Sequence, residues 1–179
     1  MKNTYTITAF SEHHIGLLNR ITIIFTRRQV NIEALTVSQS AIQGIHKFTI
    51  VVNETKEKVE KVVRQIEKQV EVLKAFYHPD SDIVHQEIAL YKVPTEALLQ
   101  STKLEQIIRK HNARILEVMP EYTVIEKTGH KIETQELFDR LSQYGVKQFT
   151  RSGRVAVTKL NEELLTKYLQ EIEAEENNS

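Results

Sequence analysis

Between Thr4 and Val37 the spacing of apolar residues changes from two, to three or four, and back to two. Thr4-Tyr5-Thr6-Ile7-Thr8-Ala9-Phe10 alternates and is rich in β-branched and aromatic residues, so it reads as a strand. Gly16-Leu17-Leu18 opens an amphipathic helix with Leu17, Leu18, Ile21, Ile24 and Phe25 on one stripe and Asn19, Arg20, Arg27 and Arg28 off it. A tight turn at Gln29-Val30-Asn31 leads into a second strand, Asn31 to Val37. A strand, a short polar loop, a helix and a strand leave few folds open, and they put Ser11 to Gly16 at the mouth of a helix N-terminus.

The pattern then continues. Ser38 to Gly44 is a polar turn, His46 to Val52 a third strand with Phe48, Ile50 and Val52 on one face, and Lys56 to about Gln69 a charged amphipathic helix striped by Val59, Val62, Val63, Ile66 and Val70. Glu71 to Tyr77 adds a fourth strand, so the order is βαββαβ, a split βαβ sandwich. His78-Pro79-Asp80-Ser81-Asp82 breaks the chain, and residues 79–83 read as a linker between a domain at 3–78 and a second at 84–158. In the second, a strand from Val84 to Val93 is followed by a helix marked by the capping-box spacing of Thr102 and Glu105. A hairpin, Ala113 to Val118 with Tyr122 to Lys127, a helix striped by Ile132, Leu137, Phe138, Leu141 and Tyr144, and short strands at Val146 to Phe149 and Arg154 to Val157 complete it. The fold class expected is α+β, two tandem ferredoxin-like sandwiches. Residues 159–179 read as a helical, acidic, partly disordered tail. Its stripe of Leu164, Leu165, Tyr168, Leu169 and Ile172 needs a surface, either the second domain or a protein partner.

Composition and motifs mostly exclude. Lys plus Arg and Asp plus Glu are both 24, so there is no basic excess for nucleic acid or an anionic membrane. There is no Cys, hence no thiol nucleophile or thiolate metal site, and no apolar run long enough to span a bilayer. A cytoplasmic protein is expected. The five Gly form neither GxxxxGK nor GxGxxG. Ser11 with His13 and His14 lacks an orienting acid for a triad, and adjacent histidines lack the spacing and third ligand of a zinc site. No catalytic residues and no metal ligands are therefore assigned. The loop before the helix remains: the backbone N–H groups of Gly16, Leu17 and Leu18 would point into it, and a helix N-terminus is a natural seat for a carboxylate. An ordinary loop-to-helix junction would look the same.

The opening stretch resembles the ACT domain at the N-terminus of acetolactate synthase (acetohydroxyacid synthase) small regulatory subunits. The match runs through Gly16, Leu18, Arg20, Phe25, Arg27, Arg28, Asn31, Ile32, Glu33, Leu35, Thr36 and Val37, then Phe48 to Val52, Gln65 to Val70, and Glu87 to Val93. It extends to about Val157. The resemblance implies a non-catalytic subunit that binds and activates the catalytic (large) subunit and confers feedback inhibition, typically by valine, in branched-chain amino acid biosynthesis. Thiamine diphosphate, magnesium and FAD would belong to that catalytic partner, with no cofactor in this chain. It further implies a homodimer through the ACT domain, with the amino-acid effector between the first loop of one chain and the second strand of the other. Carried over by position, the effector-binding residues are His13, Ile15, Gly16, Leu17, Leu18, Asn31 and Ile32. The alternative is a stand-alone amino-acid-sensing ACT module.

One departure stands out. The family usually carries Asn or Asp at the position of His13, and often a small residue at Ile15. An amide donates and accepts at once, whereas imidazole does so only when neutral. Weaker valine binding, or binding that weakens as the imidazole protonates, is the expectation.

Overall fold

The first alternating run forms β1 (Asn3–Glu12), two residues longer at its end than the sequence suggests because Ser11 and Glu12 still pair with His46 and Ile45. The computed structural model describes residues 1–176. After β1 come α1 (Leu17–Arg27), β2 (Ile32–Gln39), β3 (Ile45–Glu54), α2 (Lys56–Ile66) and β4 (Val72–Pro79). The strands lie antiparallel in the order β2-β3-β1-β4, the expected split βαβ arrangement. Alternation decides the faces. Tyr5, Ile7 and Ala9 of β1 and Phe48, Ile50 and Val52 of β3 share a core with Leu17, Ile21 and Phe25 of α1 and Val59, Val62 and Ile66 of α2. Each fully buried isoleucine or leucine there contributes about 1.5–3 kcal/mol.

Two expected core positions fall outside. Leu18 is 45% exposed, because the stripe of an 11-residue helix is narrower than five apolar residues. Helix α2 ends at Ile66, and Val70, in the turn beyond, is 95% exposed.

The stretch read as a linker has regular structure. Pro79 closes β4, Asp80–Asp82 form one 3-10 turn, and Ile83 opens β5 (Ile83–Val93). Arg154 Nη1 donates to Asp80 Oδ1 at 2.6 Å and to Thr6 Oγ1 at 2.9 Å, and Lys159 donates through its backbone N–H to Asp82 O and through Nζ to Ser81 O. By compactness the chain divides into one unit of Met1–His85 with everything from Arg154 on, and a second of Gln86–Gly153.

The second unit continues β5 and adds α3 (Thr95–Gln100), α4 (Thr102–Lys110), β6 (Arg114–Val118), β7 (Thr123–Gly129), α5 (Lys131–Ser142) and β8 (Gln148–Arg151), with the sheet order β6-β7-β5-β8. Ala89, Tyr91, Val93, Leu104, Ile125, Leu137 and Leu141 form its core. Helix α3 is not anticipated by the sequence, and the cap of α4 is Ser101, whose Oγ accepts from Leu104 N–H, in place of Thr102. Ile132, counted in the stripe of α5, is 72% exposed in its first turn.

β9 (Val155–Thr158) pairs with β5, and α6 (Leu164–Glu176) follows. Leu165 is fully buried, and Lys74 Nζ lies 5.5 Å from the Tyr168 ring centroid. The tail helix thus packs within the first unit. The reason lies in β1 and β4: Phe10 and Phe76 point away from α1 and α2, and an apolar outer face needs a cover. The helix expected in the tail runs to Glu176, while 177–179, part of the stretch read as partly disordered, lie outside the described residues. No described helix is long and apolar enough to cross a membrane.

Candidate functional site

The loop from His13 to Gly16 is held from both sides. His13 N–H donates to Gly44 O at 3.3 Å, Glu12 N–H to Glu71 O at 3.0 Å, and Leu17 N–H turns back to His14 O at 3.3 Å. Gly16 sits in the left-handed region, φ +86°, where it starts α1 without a side-chain cap. A Cβ there would meet nothing within 4 Å, so the requirement for glycine is conformational and not steric.

That local bonding changes which donors are open. The Leu17 amide is taken and its side chain lies in the core, 1% exposed. Among the described residues no acceptor meets the amides of Gly16, Leu18 and Asn19, so these three N–H groups form the positive mouth of α1. Ile15 (94% exposed) and Leu18 flank them with apolar surface. The arrangement suits a carboxylate carrying a small apolar group.

His13 is not a free loop residue. Its ring stacks on His46 at 4.2 Å between centroids and 24° between planes, because Ser11 opposite His46 brings β3 alongside. His46 Nδ1 is buried without a partner. Beside them Arg20 Nη2 donates to Glu71 Oε1 at 2.5 Å, with His14 Nδ1 3.8 Å from the same oxygen. That guanidinium holds the Glu71 carboxyl below the usual carboxylate range, against the opposing effect of burial. His46, Gly44, Asn19 and the Arg20–Glu71 pair are neighbours that the sequence did not single out. The strand-to-strand register was the signal that could have found His46 and Gly44.

The structure brings His13, Ile15, Gly16 and Leu18 together, but not Asn31 and Ile32. Ile32 opposes Val52, which opposes Tyr5, whereas the loop follows Glu12 at the other end of β1. At about 3.3 Å per residue the two groups are roughly 25 Å apart along the sheet. Asn31 is exposed and Ile32 half-buried, both on the edge strand β2 or at its start. Among the described residues no three His, Asp or Glu side chains are grouped to hold a metal ion.

Known proteins share this architecture and sequence. Residues 7–74 match the AHAS small subunit-like ACT domain, and residues 86–160 match the small subunit of acetolactate synthase. The acetolactate synthase small subunit of Bacillus subtilis is 35% identical over 157 residues, 87% of this chain and 90% of that one. A probable acetolactate synthase small subunit of Archaeoglobus fulgidus is 34% identical over 159 residues, 88% of this chain and 98% of that one. The crystal structure of the acetolactate synthase small subunit from Thermotoga maritima superposes with a TM-score of 0.80 at 26% identity, covering 89% of this chain and 99% of that one.

Proposed function

The chain belongs to the acetolactate synthase small subunits, the regulatory and non-catalytic part of that enzyme, and from that premise we propose that it binds and activates the catalytic subunit and makes it sensitive to a branched-chain amino acid, with valine first in line. The observation that carries this reading is that both halves match the family, the ACT domain and the domain after it. A stand-alone sensor would have no use for the second match. The setting is valine, isoleucine and leucine biosynthesis in the cytoplasm. Thiamine diphosphate, magnesium and FAD are assigned to the catalytic chain, with none in this one.

The effector site is formed by two copies. Its first wall is His13, Ile15, the open amides of Gly16 and Leu18, and now Asn19. Its second wall is Asn31 and Ile32 of a partner copy. Register supports this geometry: β2 is an edge strand, and its last residue, Gln39, pairs with His46 at the level of the His13 loop. A two-fold antiparallel pairing of β2 with a second β2 would set the partner's strand start at that same level. Two walls that are far apart in one chain would then meet across the dimer.

Co-purification with an acetolactate synthase catalytic chain, followed by activity with and without this protein and with added valine, tests the reading. Association, activation and valine-dependent inhibition are expected. No association and no activation would favour the stand-alone sensor. His13→Asn should tighten valine binding by about one to two decades, the worth of a hydrogen bond to a charged ligand. Unchanged affinity by calorimetry would remove His13 from the site.

A further inference from the structure

On the face of the first sheet away from α1 and α2 lies a cavity of about 230 Å³. Phe10 and Phe76 line it, edge to face with centroids 6.5 Å apart, and β9 together with the turn into α6 forms its other wall. None of its lining residues belongs to the His13–Leu18 loop, and its polar groups stand at its two ends.

Lys47 stands at one end. It opposes Phe10 across β3 and β1, and its Nζ donates to Ala156 O at 3.0 Å, leaving two of its three donors without a partner among the described residues. Burial pushes the ammonium's pKa down despite the nearby Glu163 carboxylate, so the cation is incompletely compensated. Glu162 and Glu163 stand at the mouth, both exposed to water, and Glu163 Oε2 accepts from Thr166 Oγ1 at 3.3 Å. His78 stands at the other end. It opposes Thr6, four residues along β1 from Phe10, or roughly 13 Å. Its Nε2 is buried with no hydrogen-bond partner, and burial favours the neutral ring. A buried imidazole nitrogen without a partner is costly unless something comes to meet it.

We propose that this cavity binds a small carboxylate whose apolar body of about six carbons ends in a hydroxyl or carbonyl. The carboxylate takes the open N–H groups of Lys47, the body lies on Phe10 and Phe76, and the distal oxygen meets His78 Nε2. The volume suits it: 230 Å³ holds seven or eight waters at about 30 Å³ each, and the covalently bonded atoms of a six-carbon hydroxy acid lie closer together than separate waters do. Charge-assisted anchoring at one end and a neutral hydrogen bond at the other give the site a direction.

Amide NMR of the full chain, titrated with 6-hydroxyhexanoate, hexanoate, hexane-1,6-diol and 6-aminohexan-1-ol, tests the proposal. Saturable shifts at Thr8, Phe76 and Ala156 are expected, tightest for hydroxyhexanoate and about tenfold weaker for the diol. Lys47→Met should make acid and diol equal, Lys47→Arg should restore the preference, and His78→Phe should erase the gain of hydroxyhexanoate over hexanoate. Equal binding of acid and diol by the unaltered chain, tighter binding of the amino alcohol, shifts confined to Ser11–Asn19, or no saturation at millimolar ligand would each overturn it.

Discussion

Removing Asp80 should cost this protein more than removing Arg154, although the two are partners in one ion pair. Arg154 is 8% exposed in its side chain and Asp80 45%. In Asp80→Ala the guanidinium stays buried with Thr6 Oγ1 as its remaining side-chain partner, and its Nε already has none. Breaking a buried pair this way costs about 3–5 kcal/mol, and the lower end applies because half of Asp80 already faced water. Arg154→Met removes two hydrogen bonds worth about 1 kcal/mol each, leaves a carboxylate that water can reach, and refills the space with an apolar stem, for a net of about 1 kcal/mol. The difference of about 2 kcal/mol is a factor of about thirty in the unfolding equilibrium. In urea, with a slope of about 2 kcal/mol per molar, the midpoints should lie about 1 M apart. Far-UV circular dichroism follows the transition. The double variant should unfold close to Arg154→Met alone, since without the guanidinium Asp80 has little to lose. If Arg154→Met costs as much as Asp80→Ala, or the two costs add in the double variant, the reasoning fails.

Gly16→Ala meets no atom within 4 Å, so its cost is the left-handed backbone alone, about 1–2 kcal/mol, measurable as a lower urea midpoint; a neutral substitution would mean the loop relaxes freely. The Glu54 carboxyl is held down to about 2, first by the Lys2 hydrogen bond at 2.9 Å and then by Thr55 N–H and Lys58, with burial opposing. Its folded value lies below the unfolded one of about 4.3, so its stabilisation is complete above that pH and lost as pH falls from there toward 2. Glu54→Gln should therefore flatten the acid limb of stability against pH, and an unchanged limb would contradict the assignment. Tyr91→Phe removes a fully buried hydroxyl that donates to Thr134 O at 2.6 Å while keeping the ring on Phe149, and should cost about 1 kcal/mol; a stabilised variant would show the bond to be dispensable.

Much of the fold was legible because one face of each strand and helix repeats a simple period. Ile7, Ile21, Ile50, Val62 and Ile66 all fall on stripes readable from spacing, and all are fully buried. What spacing could not reveal is the second face of β1. Thr6, Thr8 and Phe10 alternate with the core residues, and Thr6 and Phe10 are buried beneath residues more than 140 positions later in the chain. Val70 and Ile132 fail for the opposite reason, since each has helical spacing but lies where a helix has ended or just begun. At the candidate site the open amides were foreseeable from the helix start, but the loss of Leu17 N–H to His14 O depended on a turn that propensities do not specify. His46 was invisible until register set it beside His13.

The closing segment over the first sheet also orders events in time. Residues 86–153 form one contiguous stretch, whereas the first unit needs Arg154 to reach Thr6 across 148 positions. The first sheet is thus begun before residues 86–153 and closed by residues that follow them. Before residues 156–164 are in place, the side of the sheet carrying Phe10 and Phe76 lacks the wall they form, and a nascent subunit offers an apolar surface that the folded one hides.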